Sequence, residues 1–409
     1  MDFNTKLLHG RATGNYAFNA TLPPIAQVTA FKYDSAEEHE KVFTHKAMGY
    51  AYTRVGNPTV SAFENRIAEL EGSSSAIATS SGMSAVTLAL LNVLETGDEI
   101  VAASGLYGGT LDLFRDLERF GIHTRFAKRL TPEYIEPLLT EKTKVIFGEV
   151  ISNPALFILD VPKLAEYAHS KGLPLIVDST TATPYLINPL KLGADVVVHS
   201  SSKYINGGGN SISGVIVDGA SFAWNPERYP ALKDFRKYGK ICYSIRLRTD
   251  IWENFGTCLS PFNAYMNTVG LETLGLRMER ICSNANELAK ALSEMDGISD
   301  VNHPSLETSE AHELAETELN GYGGGILTFR AGSREIAFHI LDHLKYASIA
   351  SNIGDIRTLV IHPASTLYIH SSEEEREDAG VYDDTIRVSV GIEDPADLAA
   401  DFEQAIKNA

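Results

Sequence analysis

Two hydrophobic rhythms alternate along most of the chain. In VSAFENRIAELEG, from Val60, apolar positions recur every three or four residues and predict an amphipathic helix; SAIATS follows as a short continuous run that predicts a strand. The alternation continues through a helix from Met83 to Leu94, a strand at DEIVAAS, a helix at LDLFRDLERFG, a strand at KVIFGEVI and a helix at VPKLAEYAHSKG. The strands PLIVDS, ADVVVHS and ISGVIVDG come next. Strands that stay apolar along their length are covered on both faces. The expected fold class is therefore α/β, a mainly parallel sheet between helical layers that binds ligands beyond the carboxyl ends of its strands.

The flanking regions read differently. The first fifty residues lack sustained periodicity and contain Pro23-Pro24, which predicts an extended arm with one short helix, Ala36 to Phe43, lying on the body or on a neighbouring subunit. Beyond Phe255 a long helical stretch, PFNAYMNTVGLETLGLRMERICSNANELAKAL, leads into the strands GGGILTF, YASIAS and TIRVSV and the helices REIAFHILDHL and PADLAADFEQAIKN. The expected organisation is an arm over residues 1–50, a large α/β domain over 51–255 and a smaller α+β domain over 256–409. The acidic run SSEEEREDAG predicts a solvated loop or a helix start.

Composition narrows the function. Hydrophobic residues make up 44% of the 409 positions and charged residues 22%, ample for a folded core. Lysine and arginine total 35 against 53 acidic residues, a net charge of -18 with no basic cluster, so neither nucleic acid nor an anionic membrane is an expected partner. Cys242, Cys258 and Cys282 lie far apart without CxxC spacing, which gives no disulfide framework and no sequence-local zinc site and fits a reducing cytoplasm. MDFNTKLLHG lacks a basic region followed by an apolar core, and AVTLALLNVL is too short to span a bilayer, so no export or membrane role is expected.

Parallel strands share one carboxyl edge, where residues distant in sequence meet. TSSGM, with Gly82, fits either a capped helix start or a phosphate seat made of helix N–H groups. ISNP places Asn153 in a turn before proline or against a ligand, and LIVDS leaves Asp178 as a cap or as the counter-charge of a bound cation. HSSSKYINGGGN sets Ser200, Ser202 and Lys203 after a buried strand, where a lysine is either a solvated charge or a chemical amine. A phosphate seat, a carboxylate and an amine on one edge point to pyridoxal phosphate. The amine bonds to the aldehyde carbon, the carboxylate keeps the pyridine nitrogen protonated, and hydroxyls and N–H groups hold the phosphate. The glycine run lets backbone pass close to such a cofactor, and it is no dinucleotide fingerprint, since the strand–GxGxxG–helix order is missing.

YTRVGNPT, SSGMSA, LYGGT, EVISNP, IVDSTTATPYL, HSSSKYINGGG, LSPFNA, HPAS and IRVSVGIED stand in this order. Together they resemble the Cys/Met-metabolism family of pyridoxal-phosphate enzymes with the aspartate-aminotransferase-type fold (fold type I), from Leu8 to the C-terminus. The resemblance implies a mainly parallel seven-stranded sheet with a smaller α+β domain. It implies that Lys203 forms a Schiff base and shuttles protons, that Asp178 pairs with the pyridinium, and that Tyr107 stacks on the ring and assists proton transfer or leaving-group departure. Ser81, Gly82, Met83, Ser200 and Ser202 are the implied phosphate ligands, with Thr180 and Asn153 also against the cofactor. Tyr52 and Arg54 reach the phosphate from a neighbouring subunit, which makes a homodimer or homotetramer with shared sites. Arg387 clamps the substrate carboxylate as a fork, with Asn153 and Asn352 beside it.

Within the family, LSPFNA and ASNIGD followed by LVIHPAS resemble most the O-acetylhomoserine sulfhydrylase branch of methionine biosynthesis. That branch implies γ-replacement on O-acetylhomoserine by sulfide, methanethiol or a sulfur carrier. Methionine γ-lyases usually carry a cysteine where Gly109 stands and read LSPHDA, whereas cystathionine γ-synthases share YGGT and the γ-replacement chemistry. Two departures bear on the thiol site and leave the sulfur donor open. DSTTATP replaces DNTFATP, with Ser179 and Thr181 for an amide and an aromatic ring, and Leu367-Tyr368 replaces threonine-histidine after HPAS.

Overall fold

The computed structural model describes residues 1–409 apart from Asn15 and His45. Its larger sheet has seven strands: β1 (Ser75–Thr79), β2 (Glu99–Ala103), β3 (His123–Ala127), β4 (Thr143–Glu149), β5 (Leu175–Asp178), β6 (Val196–His199) and β7 (Gly214–Asp218). They lie in the order β1-β7-β6-β5-β4-β2-β3. Pairing is parallel from β6 across to β3, while β7 runs antiparallel to both β6 and β1. The continuous apolar runs have the expected cause. Val177, Val197 and Val215 enter one hydrophobic cluster, and Ile176, Val198 and Ile216 enter another on the opposite face. The helices Pro58–Glu71 and Val161–Ser170 cover the first face, and Gly82–Leu91 and Gly108–Glu118 the second.

A five-stranded sheet follows: β8 (Ser299–Asn302), β9 (Ile326–Arg330), β10 (Ser348–Ile349), β11 (Leu359–Ile361) and β12 (Thr385–Ser389), in the order β10-β11-β12-β9-β8. Phe329, Ile386 and Phe402 centre its own cluster against the helices Arg334–His343 and Pro395–Lys407. The stretch expected as one long helix is two, Pro261–Leu271 and Leu274–Ser293, parted at Glu272 and Thr273. The second of these joins the cores: Met278 and Ile281 enter the first cluster of the large sheet, and Leu288 and Leu292 the cluster of the small one. Among the described residues, no helix is long and apolar enough to cross a membrane.

The arm divides into two parts. A helix that the sequence reading missed, Phe3–His9, buries Leu7, sets Phe3 edge-on to Tyr185 at 5.2 Å, and leads to Arg11 and Ala12, whose N–H groups donate to Glu69 at 2.9 and 2.8 Å. The expected helix Ala36–Phe43 is present, capped by Ser35, but Phe18 and Met48 of the arm stand 93% and 100% exposed. The acidic run forms a short helix, Glu373–Asp378, opened by a capping box at Ser372 and Glu375.

The turn after β6 that carries Lys203 is held from behind. Arg277, on the helix Leu274–Ser293, donates to the carbonyls of Tyr204 at 2.6 Å, Ile205 at 3.2 Å and Gly270 at 2.7 Å. Burial draws its guanidinium down to about 10, so carbonyl dipoles rather than an acid hold the charge. Beside it Gly270 lets the helix Pro261–Leu271 touch this turn, since a Cβ there would lie 2.1 Å from the Asn206 carbonyl oxygen. Gly270→Ala should therefore push the helix off the turn and destabilise the protein by about 1–3 kcal/mol. A melting temperature equal to the parent's would show the contact to be slack.

Candidate active site

The parallel strands β4, β5 and β6 end at Glu149, Asp178 and His199, and the loops that follow them enclose a cavity of about 220 Å³. Twelve residues singled out in the sequence line it: Ser81, Gly82, Met83, Tyr107, Asn153, Asp178, Thr180, Ser200, Ser202, Lys203, Asn352 and Arg387. Tyr52 and Arg54 do not. They lie exposed just after the arm, where Arg54 Nη1 donates to the Glu253 carbonyl at 2.9 Å.

Lys203 sits one turn beyond β6, and its Nζ donates to Asn352 Oδ1 at 2.6 Å. Burial, with the charge of Arg387 adding to it, draws the ammonium down from 10.5 to about 8. Arg387 stands on β12 at 2% exposure, its Nη1 donating to Asn153 Oδ1 at 3.2 Å and its Nη2 to the Asn352 carbonyl at 2.9 Å. Its Nε has no partner, no acid pairs with it among the described residues, and burial lowers it to about 10. A buried guanidinium fork without an acid is matched to an incoming carboxylate.

Asp178 presents the opposite case. Its Oδ1 accepts from the Thr180 N–H at 2.8 Å, burial holds the carboxyl above its usual range, and no described basic side chain forms an ion pair with it. Thr180 Oγ1 accepts in turn from the Ser200 N–H at 2.7 Å, which ties the loop after β5 to the loop after β6. At the cavity's other end Ser81 caps the helix Gly82–Leu91 by accepting from the Ser84 N–H at 3.1 Å. The N–H groups of Gly82 and Met83, in the first turn, have no acceptor within the helix. Gly82 allows this helix start to abut the Ser200 loop: a Cβ would lie 2.5 Å from Ser200 Cβ. The Ser202 hydroxyl is engaged by the segment that leads into β7, donating to the Ser213 carbonyl at 2.9 Å and accepting from its N–H at 2.8 Å.

Sequence reasoning passed over Glu149. It ends β4 beside Asp178, and burial together with that neighbouring charge pushes it up to about 8. The signal was available, since an acid ends a buried apolar strand here as it does at Asp178. Ile212, Ile353 and Leu367 also line the cavity and supply an apolar wall. Tyr368 is buried and donates its hydroxyl to the Leu106 carbonyl at 2.6 Å, so the segment after HPAS packs onto the LYGGT loop.

A family model described as Cys/Met metabolism PLP-dependent enzyme matches residues 4–407. The chain belongs to this family. It is 40% identical to the homocysteine synthase of Schizosaccharomyces pombe, over 100% of this chain and 98% of that protein. It is also 40% identical to the O-acetyl-L-homoserine sulfhydrylase of Corynebacterium glutamicum, over 98% and 96%. A crystal structure from Campylobacter jejuni, assigned as an O-acetylhomoserine (thiol)-lyase and solved with N'-pyridoxyl-lysine-5'-monophosphate, superposes with a TM-score of 0.94 at 34% identity and 99% coverage of both chains.

Pyridoxal phosphate is accordingly the cofactor of this Cys/Met-metabolism enzyme, and the residues present suit it. Asp178 is a buried acid with no ion-pair partner among the described residues, which leaves it free to face a ring N–H⁺. Gly82 lets the Ser200 loop close onto a helix start whose dipole favours a phosphate. Lys203 is an amine with a lowered pKa. Only the neutral amine is nucleophilic, so the rate at which cofactor-stripped protein takes up added pyridoxal phosphate should rise with pH through about 8. Stopped-flow absorbance measures this, and an inflection near the ordinary lysine value would contradict the desolvated setting.

Proposed function

We propose that this enzyme replaces the acetate of O-acetylhomoserine with a sulfur nucleophile, giving homocysteine from sulfide or methionine from methanethiol. The observation that carries the substrate class is the buried, acid-free Arg387 fork, which shares Asn352 with the Lys203 amine. These two groups match the carboxylate and amine ends of an α-amino acid. The choice of γ-replacement rests on the sulfhydrylase and homocysteine synthase relatives, similar over their whole length.

When bound, pyridoxal phosphate supplies an electron sink for the charge left at Cα. Asp178 would keep the ring nitrogen protonated, and Tyr107 would lie against the ring. Arg387, oriented by Asn153, grips the substrate carboxylate and fixes the Cα–H bond relative to Lys203. Lys203, half neutral at about pH 8, takes the Cα proton and serves the later transfers at Cβ and Cγ. Acetate leaves Cγ with its bonding pair, and sulfur forms the new bond there, so O-acetylhomoserine and hydrogen sulfide become homocysteine and acetic acid. The apolar side chains of Ile353 and Leu367 in the cavity wall would limit water at the reacting carbon, which disfavours release of ammonia and an oxo acid. A cytoplasmic setting suits the three free thiols, Cys242, Cys258 and Cys282.

Tyr52 and Arg54 act on a second copy, reaching the phosphate of its site in a homodimer or in a homotetramer built as a dimer of dimers. The exposed Phe18 and Met48 of the arm support this reading, because large apolar side chains that stand in water favour a partner surface.

Supplied with O-acetylhomoserine and sulfide, the enzyme should form homocysteine. Oxo acid from methionine alone, with no replacement product, would make it a lyase instead. Lys203→Ala should abolish turnover and the visible band of the bound cofactor together; survival of both would remove the lysine's assignment. For the shared site, Lys203→Ala and Arg54→Ala should each be inactive alone. Co-refolded in equal amounts, they should recover up to about one quarter of parental activity through mixed dimers with one intact site. No recovery despite mixed dimers would place both residues in the same site.

A further inference from the structure

We infer that Glu149 is a positioning residue, a carboxylate brace that fixes Tyr107 and Asn153 relative to one another. The inference rests on the roles proposed above for those two side chains. Glu149 Oε1 accepts from the Tyr107 N–H at 2.7 Å, and Oε2 accepts from the Asn153 N–H at 3.1 Å. Tyr107 ends the loop after β2 and Asn153 lies in the loop after β4, so one carboxylate joins two strand-end loops that share no other acidic tether among the described residues. Tyr368 bridges the same two loops through their carbonyls, donating to Leu106 at 2.6 Å and to Asn153 at 3.4 Å. The pair of braces sets the phenol that packs on the ring and, through the bond from Arg387 Nη1 to Asn153 Oδ1, the fork that binds the carboxylate.

An acid is the side chain this geometry requires. Two N–H donors converge on it, and a carboxylate offers two acceptor oxygens where an amide offers one acceptor and a donor that would oppose the second N–H. The acid is kept against an electrostatic penalty, since its register partner on β5 is Asp178 and burial pushes it up to about 8. Tyr107, Tyr368 and Asp178 are the ionisable groups that face it, with Arg387 beyond Asn153. A cationic ring nitrogen beside Asp178 relieves the repulsion in the cofactor-loaded enzyme. A residue present only to fill space would be more stable there as glutamine.

The test compares E149Q and E149D with the parent holoenzyme, with Y107F and N153A as controls. It reads kcat and KM for O-acetylhomoserine, the visible circular dichroism of the bound cofactor, and the melting temperature. E149Q is expected to raise KM and lower kcat, a combined loss on the order of 10–100-fold, because misplacement by about 1 Å is enough for that. The dichroic band should weaken as Tyr107 loses its fixed orientation. E149D, with both oxygens on a shorter stem, should fall between E149Q and the parent. Parental kcat, KM and dichroism in E149Q overturn the inference, as does an effect confined to the melting temperature. If E149Q fails to fold, E149D decides by the same readings, and parental values again overturn it. Should Y107F and N153A themselves retain parental kinetics, the roles assigned to those side chains fail and the brace fails with them. Losses in both controls beside a parental E149Q refute the brace alone.

Discussion

Charge without a protein counter-charge, held out of water, is the constraint on which the molecule is built. Removing an ammonium, a guanidinium or a carboxylate from solvent costs several kcal/mol unless an opposite charge comes with it. Lys203, Arg387 and Asp178 line one cavity and none has an ion-pair partner among the described residues. Each shift runs in the direction burial dictates, with the two bases drawn down and the acid raised. A protein keeps such groups when a ligand supplies the missing charges, and an amino acid with pyridoxal phosphate supplies a carboxylate, a phosphate and a ring cation.

The scaffold makes this arrangement tolerable by placing it where backbone, not side-chain charge, does the holding. Strand ends leave N–H groups and carbonyls pointing past the sheet, and the site draws on them throughout. Thr180 N–H meets Asp178, the carbonyls of Tyr204 and Ile205 meet Arg277, and the Asn352 carbonyl meets Arg387. The small sheet contributes Arg387 to the cavity, and the large one Asp178 and Lys203. The helix Leu274–Ser293, with side chains in both cores, keeps the two at fixed separation.

This division explains what was legible in the sequence. Long apolar runs such as PLIVDS announced central strands because burial on both faces leaves no other pattern. β3, half exposed at the sheet edge as HTRFA, and β8 and β11, of four and three residues, carried too little periodicity to register. The run of short helical turns from Pro230 to Phe255 likewise shows no single period. Lys203 and Asp178 were readable because a parallel sheet gathers strand ends on one edge. Glu149 stands at such a strand end too, but its role was not readable, since that depends on Tyr107, 42 positions away, and on which loops the topology brings together. Tyr52 and Arg54 were named through the family resemblance alone, and a single copy of the chain keeps them outside its own cavity.

The two departures from the family pattern also take physical form here. Thr181 turns its hydroxyl back to the Ile151 carbonyl at 2.6 Å, and Tyr368 spends its own on Leu106, so neither offers a polar group to an incoming nucleophile. Burial raises the Tyr368 phenol well above its ordinary value, which keeps it neutral at any pH the enzyme meets. Among the described residues lining the cavity, Lys203 and Arg387 are the basic ones, and the proposed reaction assigns both to the amino-acid substrate. A nucleophile with its own carboxylate would enter an apolar wall without a cation to meet it, whereas hydrogen sulfide or a small alkyl thiol enters neutral and pays no such desolvation.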